Sequence, residues 1–139
     1  MPNFRLALFI TVLGFCFLGC GAADHQRLLE KQIYKYHQKL RWSLLDQAQH
    51  FVSSDYLNDW KNAHLGNSKD LKVTNIEHNL IEITQTQPPR AHFRVNVTWY
   101  RNGQMTIKQS AWNQEWHFIG TRWQLIKEES LSGAATVWP

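Results

Sequence analysis

Cysteine is scarce in this chain of 139 residues: Cys16 and Cys20 are its two cysteines, and both precede Asp24. The part after Asp24 therefore has no thiol, which excludes a disulfide, a cysteine-ligated metal site and a cysteine nucleophile there. Without residues 1–19 the chain has 120 residues, enough for one domain with one core. We expect that core to stabilise the domain without disulfides.

Dense charge and catalytic motifs are also missing. The formal net charge is +4, and the basic residues are scattered rather than gathered into the kind of run that nucleic-acid binding needs. The chain has no phosphate-binding glycine loop and no Gly-x-Ser-x-Gly sequence. Its seven histidines show no short ligand spacing, so we interpret them as scattered surface residues. The sequence therefore predicts no nucleic-acid partner, no metal and no cofactor.

One long apolar run is present, and it lies at the start of the chain. Arg5 precedes it, Leu6 to Leu18 carry no charge, and small residues follow. At about 1.5 Å per residue, a helix of this length spans about 20 Å, less than the roughly 30 Å hydrocarbon core of a bilayer. The segment is typical of a secretory signal rather than of a permanent transmembrane helix.

The end of this run, Phe17-Leu18-Gly19-Cys20, resembles the lipobox of bacterial lipoproteins. Phe17 departs from the pattern, in which Leu is usual. Cys16 fits less well, because bulky Phe15 stands where a small residue is needed. The resemblance implies that Cys20 is alkylated with diacylglycerol, that residues 1–19 are removed, and that the new amino end is acylated.

Such a lipoprotein would carry three acyl chains, and two or more give stable attachment. In Gram-negative cells an Asp after the lipidated Cys favours the inner membrane; Gly21 stands here. The resemblance thus implies a lipid anchor in the cell envelope, at the periplasmic face of the outer membrane. The alternative is an ordinary signal peptide cut near Ala22 or Ala23, which would remove both cysteines.

Helical periodicity characterises residues 25–66. One apolar stripe predicts a helix that begins at His25 behind an Asp24 cap, with its apolar positions at Leu29, Ile33, Tyr36, Leu40 and Leu44. A second helix, or a bent continuation of the first, is predicted to reach about Val52, with an apolar face at Leu45, Ala48, Phe51 and Val52. A short third helix is predicted at Tyr56–Trp60.

After Asp70 the apolar period changes from that of a helix to that of a strand. Strands are predicted at 73–84 and 93–100, the second with one apolar face formed by Phe93, Val95, Val97 and Trp99. Asn102-Gly103 predicts a hairpin with a type I′ turn. Beyond it the apolar parity shifts, which predicts a bulge at 109–111. The last strand is predicted at 122–127.

This order predicts an α+β domain, with N-terminal helices packed on a curved, cone-like, four-stranded antiparallel meander sheet. We divide the chain into a signal peptide at 1–19, a lipidated tether at 20–24, a single domain at 25–129 and a C-terminal tail at 130–139.

The segments "LKVTNIEH", "AHFRVNVTWYRNGQMTIKQSAWNQEW" and "RWQLIKEE" resemble strands of small, functionally uncharacterised proteobacterial lipoproteins with a nuclear transport factor 2-like (cystatin-like) domain. Shared features are the Arg41-Trp42 pair, the Val-x-Val-x-Trp-Tyr strand at 95–100, and Trp116 ahead of Trp123-Gln124-Leu125. The match covers most of residues 25–129. It implies the fold and brings no catalytic motif.

Tryptophan is abundant, with seven residues. Rings on a curved sheet could line an apolar pocket, whose lining we predict as Trp99, Trp112, Trp116, Trp123 and Tyr36. The alternative is that the rings fill the space themselves. Glu115 and His117 share a strand face, but the parity of the neighbouring aromatic residues turns that face outward, so we assign no catalytic residue.

Two functions follow as hypotheses. In the first, the protein is a non-catalytic binding or scaffolding module tethered to membrane lipid through Cys20, with another envelope protein as its partner. In the second, it binds a small apolar ligand in a pocket, with or without acid–base chemistry. Proteins of this fold often dimerise through the open sheet face, and the exposed strand residues neither require nor forbid a homodimer.

Overall fold

The computed structural model describes residues 20–66, 68–133 and 138. The predicted signal peptide, residues 1–19, lies outside them. Helix α1 spans Cys20–Arg41, α2 spans Leu45–Ala48 and α3 spans Leu57–Gly66, with a 3-10 turn at Gln49–Phe51. The strands are β1 Leu71–Thr84, β2 Arg90–Arg101, β3 Lys108–Ile119 and β4 Arg122–Gly133.

Within the described residues, three helices pack on a four-stranded antiparallel sheet with strand order β1-β2-β3-β4, so the predicted α+β meander is confirmed. Each strand pairs with its neighbour in the sequence, which gives an open sheet with one face covered by helices. In the described part of the chain, no helix is both long enough and apolar enough to cross a membrane.

Helix α1 packs on the sheet through the predicted apolar stripe. Leu29, Ile33, Tyr36 and Leu40 are fully buried. The predicted start at His25 is wrong, because residues 20–24 already belong to the helix. Leu44 is exposed, because the helix ends at Arg41 and Ser43 turns the chain with a φ of 56°. The following residues Leu45, Ala48 and Val52 are buried, as predicted for the second apolar face.

Strand β2 alternates as predicted, with Phe93, Val95, Val97 and Trp99 buried. The predicted type I′ turn is wrong. Gly103 has a positive φ and Asn102 does not, which is the pattern of a type II turn. The bulge at 109–111 is also wrong, because β2 and β3 pair without a register shift. The predicted bulge depends on an apolar alternation that includes Met105 and Ile107, but both residues are exposed and precede β3.

The irregularities on this side of the sheet lie in β4 instead. Its pairing with β3 shifts register twice, between Ala111 and Trp112 and between Glu115 and Trp116. The strand also continues to Gly133, beyond its predicted end at Lys127 and into the residues expected to form a tail.

Tryptophan dominates the core between helices and sheet. The buried tryptophans are Trp60, Trp99, Trp112, Trp116, Trp123 and Trp138. A buried aromatic ring removes roughly 150–250 Å² from water, so each contributes several kcal/mol before entropy is counted. Trp42 is the exception: it is 67% exposed, and the Arg41 guanidinium lies 5.7 Å from its ring.

Candidate functional site

A polar cluster lies inside this aromatic core, centred on the carboxylate of Glu128. A bulge in β4 turns the Glu128 side chain toward the core. Leu125 pairs with Trp116 and Lys127 pairs with Glu115, so Ile126 is an extra residue on β4. An extra residue inverts the alternation of a strand. Glu128 therefore faces the core opposite Gln114 and is buried, whereas Lys127 is exposed.

The Glu128 carboxylate accepts hydrogen bonds from three elements of the fold. The Tyr36 hydroxyl of α1 donates to Oε1 over 2.9 Å, and the Gln114 Nε2 of β3 donates to the same oxygen over 2.8 Å. The His64 Nε2 of α3 lies 2.8 Å from Oε2. These donors compensate for the water that the carboxylate loses on burial. The carboxylate thus joins α1, α3, β3 and β4.

Tyr36 links the carboxylate to α3. Its hydroxyl accepts a hydrogen bond from Trp60 Nε1 over 2.8 Å while donating to Glu128. Burial, and then the negative charge of Glu128, raises the pKa of Tyr36 well above its ordinary value of 10.0. The phenol is therefore protonated at physiological pH and serves as a hydrogen-bond donor.

A second branch runs from Gln114 toward the surface of β1. The Gln114 Oε1 accepts from Trp116 Nε1 over 3.2 Å and lies 3.1 Å from His37 Nε2. On the other side of its ring, His37 Nδ1 lies 3.1 Å from the Nδ1 of half-buried His78. These contacts are all satisfied if His37 Nε2 and His78 Nδ1 each carry a hydrogen.

Both histidines of this branch favour the neutral form. Burial, followed by the charge of His78, lowers the pKa of His37 to about 3. Burial also lowers the pKa of His78. The branch is therefore an uncharged path of polar contacts from the surface to Glu128.

The residues predicted to line a pocket are all buried in the core. Trp99, Trp112, Trp116, Trp123 and Tyr36 are each at most 1% exposed. Tyr36 and Trp116 contact each other edge-on, with ring centroids 5.4 Å apart. The carboxylate, phenol and imidazole groups of the cluster thus form a polar centre within an aromatic core.

The outer sheet face carries Glu115 and His117, as the parity predicted. His117 Nε2 lies 2.6 Å from Glu115 Oε1. Burial would raise the pKa of Glu115, but the hydrogen bond and charge of His117 lower it overall. Beside them a shallow groove of about 330 Å³ is lined by Ile81, Glu82, His92, Asn113, Lys127 and Glu129 among others. Charges of both signs border it, as is typical of a solvated sheet face.

Several of these positions differ from the sequence interpretation. The interpretation of the histidines as surface residues is wrong for His37 and His64, which are buried in the cluster. Across the part of the chain that the structure describes, no group of three or more histidines and carboxylates is placed to hold a metal ion. The backbone of Cys20 lies in α1, and its side chain is outside what the structure describes.

Sequence reasoning missed Glu128, His64 and His37. Gln114 lies on the same face of its strand as Trp112 and Trp116, so the alternation of the strand predicts its burial. Simple alternation from Leu125 places Glu128 outward, and only the pairing of β4 with β3 shows the inversion.

Comparison of the chain with protein-family models, curated proteins and solved structures finds no match in any of the three.

Proposed function

We propose that this protein is a cell-envelope lipoprotein, anchored through acylated Cys20 at the periplasmic face of the outer membrane. Its domain, of the nuclear transport factor 2-like type, is a non-catalytic binding or scaffolding module. Its partner is another protein of the envelope.

The observations that carry this proposal are the lipobox-like sequence Phe17-Leu18-Gly19-Cys20 and the position of Cys20 in α1. The residue that the lipobox marks for acylation therefore belongs to the helix that packs along the core. His25 is bound to the sheet end of β3 and β4: its ring lies 4.2 Å from that of Phe118, and its carbonyl oxygen accepts from Trp123 Nε1 over 2.9 Å. An acyl anchor on Cys20 would hold this end of the domain close to the lipid.

The opposite end of the sheet supports a binding role. In a meander, the β2–β3 connection lies at the end away from the β1–β2 and β3–β4 turns. Met105 and Ile107 stand in that connection and are 104% and 68% exposed. A strand of 12 residues extends about 40 Å. The domain would thus present two apolar side chains to a partner protein about 40 Å from the anchored end.

The enclosed state of the polar cluster supports the non-catalytic part of the proposal. The Glu128 carboxylate is engaged by Tyr36, Gln114 and His64, and the surrounding rings are buried. A general base must reach the proton that it abstracts.

The two cysteines provide a matched test of the anchor. The full-length protein, Cys20→Ser and Cys16→Ser would be expressed in a Gram-negative host with labelled palmitate, and the membrane and soluble fractions compared. We expect the wild type and Cys16→Ser to be labelled and membrane-bound, and Cys20→Ser to lose the label. Equal labelling of Cys20→Ser and the wild type, or loss of the label in Cys16→Ser, would contradict the proposal.

A further inference from the structure

Two cationic side chains converge on the ring of Trp99, where β2 ends and β3 begins. The Lys108 Nζ atom lies 5.2 Å from the centroid of the Trp99 ring, and the Arg101 guanidinium carbon lies 5.9 Å from it. Lys108 pairs with Trp99 across the two strands, and Arg101 follows Trp99 by two residues, so all three share one sheet face. The buried Trp99 ring therefore holds two like charges close together at this end of the sheet.

Within the described structure, these two cations have no carboxylate partner. None of the three ion pairs among the described residues includes Arg101 or Lys108. The Arg101 Nη1 donates to the Lys69 carbonyl oxygen over 2.9 Å, which uses one of the five N–H donors of a guanidinium. This hydrogen bond and the Trp99 ring position the planar group, so binding a carboxylate there costs little side-chain entropy.

The surroundings of the two cations are also basic. Lys69 is exposed, and its neighbour Asp70 is joined to the β2–β3 connection by a 2.8 Å hydrogen bond from the Asn102 N–H to its carbonyl oxygen. Residues 69–70 and 101–108 together contain three cationic side chains and one carboxylate, which gives a net charge of +2. This end of the sheet therefore attracts negatively charged groups.

Apolar side chains lie between the two cations along the chain. Met105 and Ile107 are 104% and 68% exposed. Methionine and arginine are both enriched in protein interfaces, and an exposed apolar side chain gains free energy when a partner covers it. We call Lys69, Arg101, Met105, Ile107 and Lys108 the β2–β3 patch.

A basic surface with apolar side chains suits either an anionic bilayer or an acidic protein. The proposed anchor distinguishes between them. Helix α1 is held to the other end of the sheet, where the Gln32 side chain accepts from the Trp123 N–H over 2.8 Å. The patch would then lie about 40 Å from the anchoring membrane, well beyond the roughly 8 Å over which charges interact at physiological salt. An acidic protein is therefore the better fit.

We propose that the β2–β3 patch binds an acidic segment of the partner protein. The Arg101 guanidinium binds one carboxylate of that segment, Lys108 balances a second charge, and an apolar side chain packs on Met105 and Ile107. This inference rests on the proposed function, which places a partner protein at this connection, and it specifies the chemistry of that partner.

The test is photo-crosslinking in the cells that naturally produce the protein, with a photo-crosslinking amino acid at Ile107 of the full-length chain. The yield of the protein adduct would be compared among this parent, Arg101→Gln and Lys108→Gln at equal membrane levels. We expect each substitution to lower the yield about fivefold, because it removes a charge-assisted contact. The partner peptide that carries the cross-link should contain Asp or Glu.

Two matched controls each remove one positive charge elsewhere. Arg90 is exposed at the opposite end of the strand that carries Arg101, and Lys31 is exposed on α1. Arg90→Gln and Lys31→Gln should leave the adduct yield unchanged. If Arg101→Gln does not fold, Lys108→Gln decides.

Three results would overturn this inference while leaving the proposed partner in place. They are an undiminished adduct in both patch variants, an equal reduction in the controls, and a cross-linked peptide without Asp or Glu. An adduct to lipid or glycan instead of protein, or no adduct in the parent, would overturn both this inference and the proposed partner.

Discussion

The Tyr36 hydroxyl donates a 2.9 Å hydrogen bond to the Glu128 carboxylate, joining the first helix to the last strand inside the core. Both side chains are buried, and each has a further partner: Trp60 for Tyr36, and Gln114 among others for Glu128. A hydrogen bond between two buried, otherwise engaged groups stabilises one particular packing of helix on sheet.

Tyr36→Phe tests this bond with little change in volume. It removes a donor to Glu128 and the acceptor of Trp60 Nε1, and leaves both groups buried. We expect the free energy of unfolding to fall by about 2–3 kcal/mol in urea denaturation. Tyr34→Phe is the control, because Tyr34 is 59% exposed and should change stability by less than about 0.5 kcal/mol. Equal effects of the two variants would contradict the buried bond.

Two adjacent glutamates test the bulge at Ile126. Glu128→Gln replaces one acceptor oxygen by an NH₂ group that faces a donor, and should cost about 2–3 kcal/mol of stability. Glu129→Gln affects an exposed side chain 3.5 Å from Lys127 and should cost less than about 0.5 kcal/mol. Urea denaturation of both variants is the measurement. A larger loss in Glu129→Gln would mean that β4 lacks the bulge.

Stability should fall with acidification because of His37. Its pKa is about 3 in the folded state against an ordinary value of 6.5, so between these values the unfolded chain binds a proton that the folded chain does not. The stability that neutral His37 contributes to the folded state is complete above pH 6.5. It is lost as the pH falls toward 3, at up to about 1.4 kcal/mol per pH unit. The lowered pKa of His78 acts in the same direction.

The measurement is urea denaturation as a function of pH, for the wild type, His37→Asn and His50→Asn. We expect His37→Asn to have a slope smaller than that of the wild type by about 1 kcal/mol per pH unit. His50 is exposed, so His50→Asn should keep the slope. An unchanged slope in His37→Asn would show that His37 does not titrate as a buried neutral base.

The fold was largely predictable because its signals are local. The stripe from Leu29 to Leu40 and the alternation from Phe93 to Trp99 are set by the helical and strand periods, and the structure confirms both. The polar cluster was not predictable, because it depends on pairing between strands. The position of Glu128 follows from one extra residue in β4, which the pattern of Leu125 and Lys127 conceals.

The other half of the cluster depends on how α3 packs. His64 belongs to a helix that the sequence predicted only as a short one at Tyr56–Trp60, whereas α3 continues to Gly66. Its partners, Glu128 and Trp138, come from β4 and beyond. The sequence pattern of residues 57–66 gives no information on contacts with residues so distant along the chain.

We expect the partner protein to bind at the exposed β2–β3 connection. A photo-crosslinking amino acid at Met105 or at Ile107 should give an adduct of one defined mass in intact cells, because both side chains point into solvent. The same amino acid at Thr121, an exposed position in the β3–β4 turn, is the control at the end where we propose the anchor. Identical adducts at both ends, or none at Met105 and Ile107, would argue against a partner at this loop.

The most direct test of the anchored module is the intact mass of the mature protein, extracted from membranes with detergent. We expect the mass of residues 20–139 plus a diacylglycerol group and a third acyl chain. An unmodified chain that begins after Ala22 or Ala23 would instead show an ordinary signal peptide, and the domain would then have no lipid anchor at Cys20.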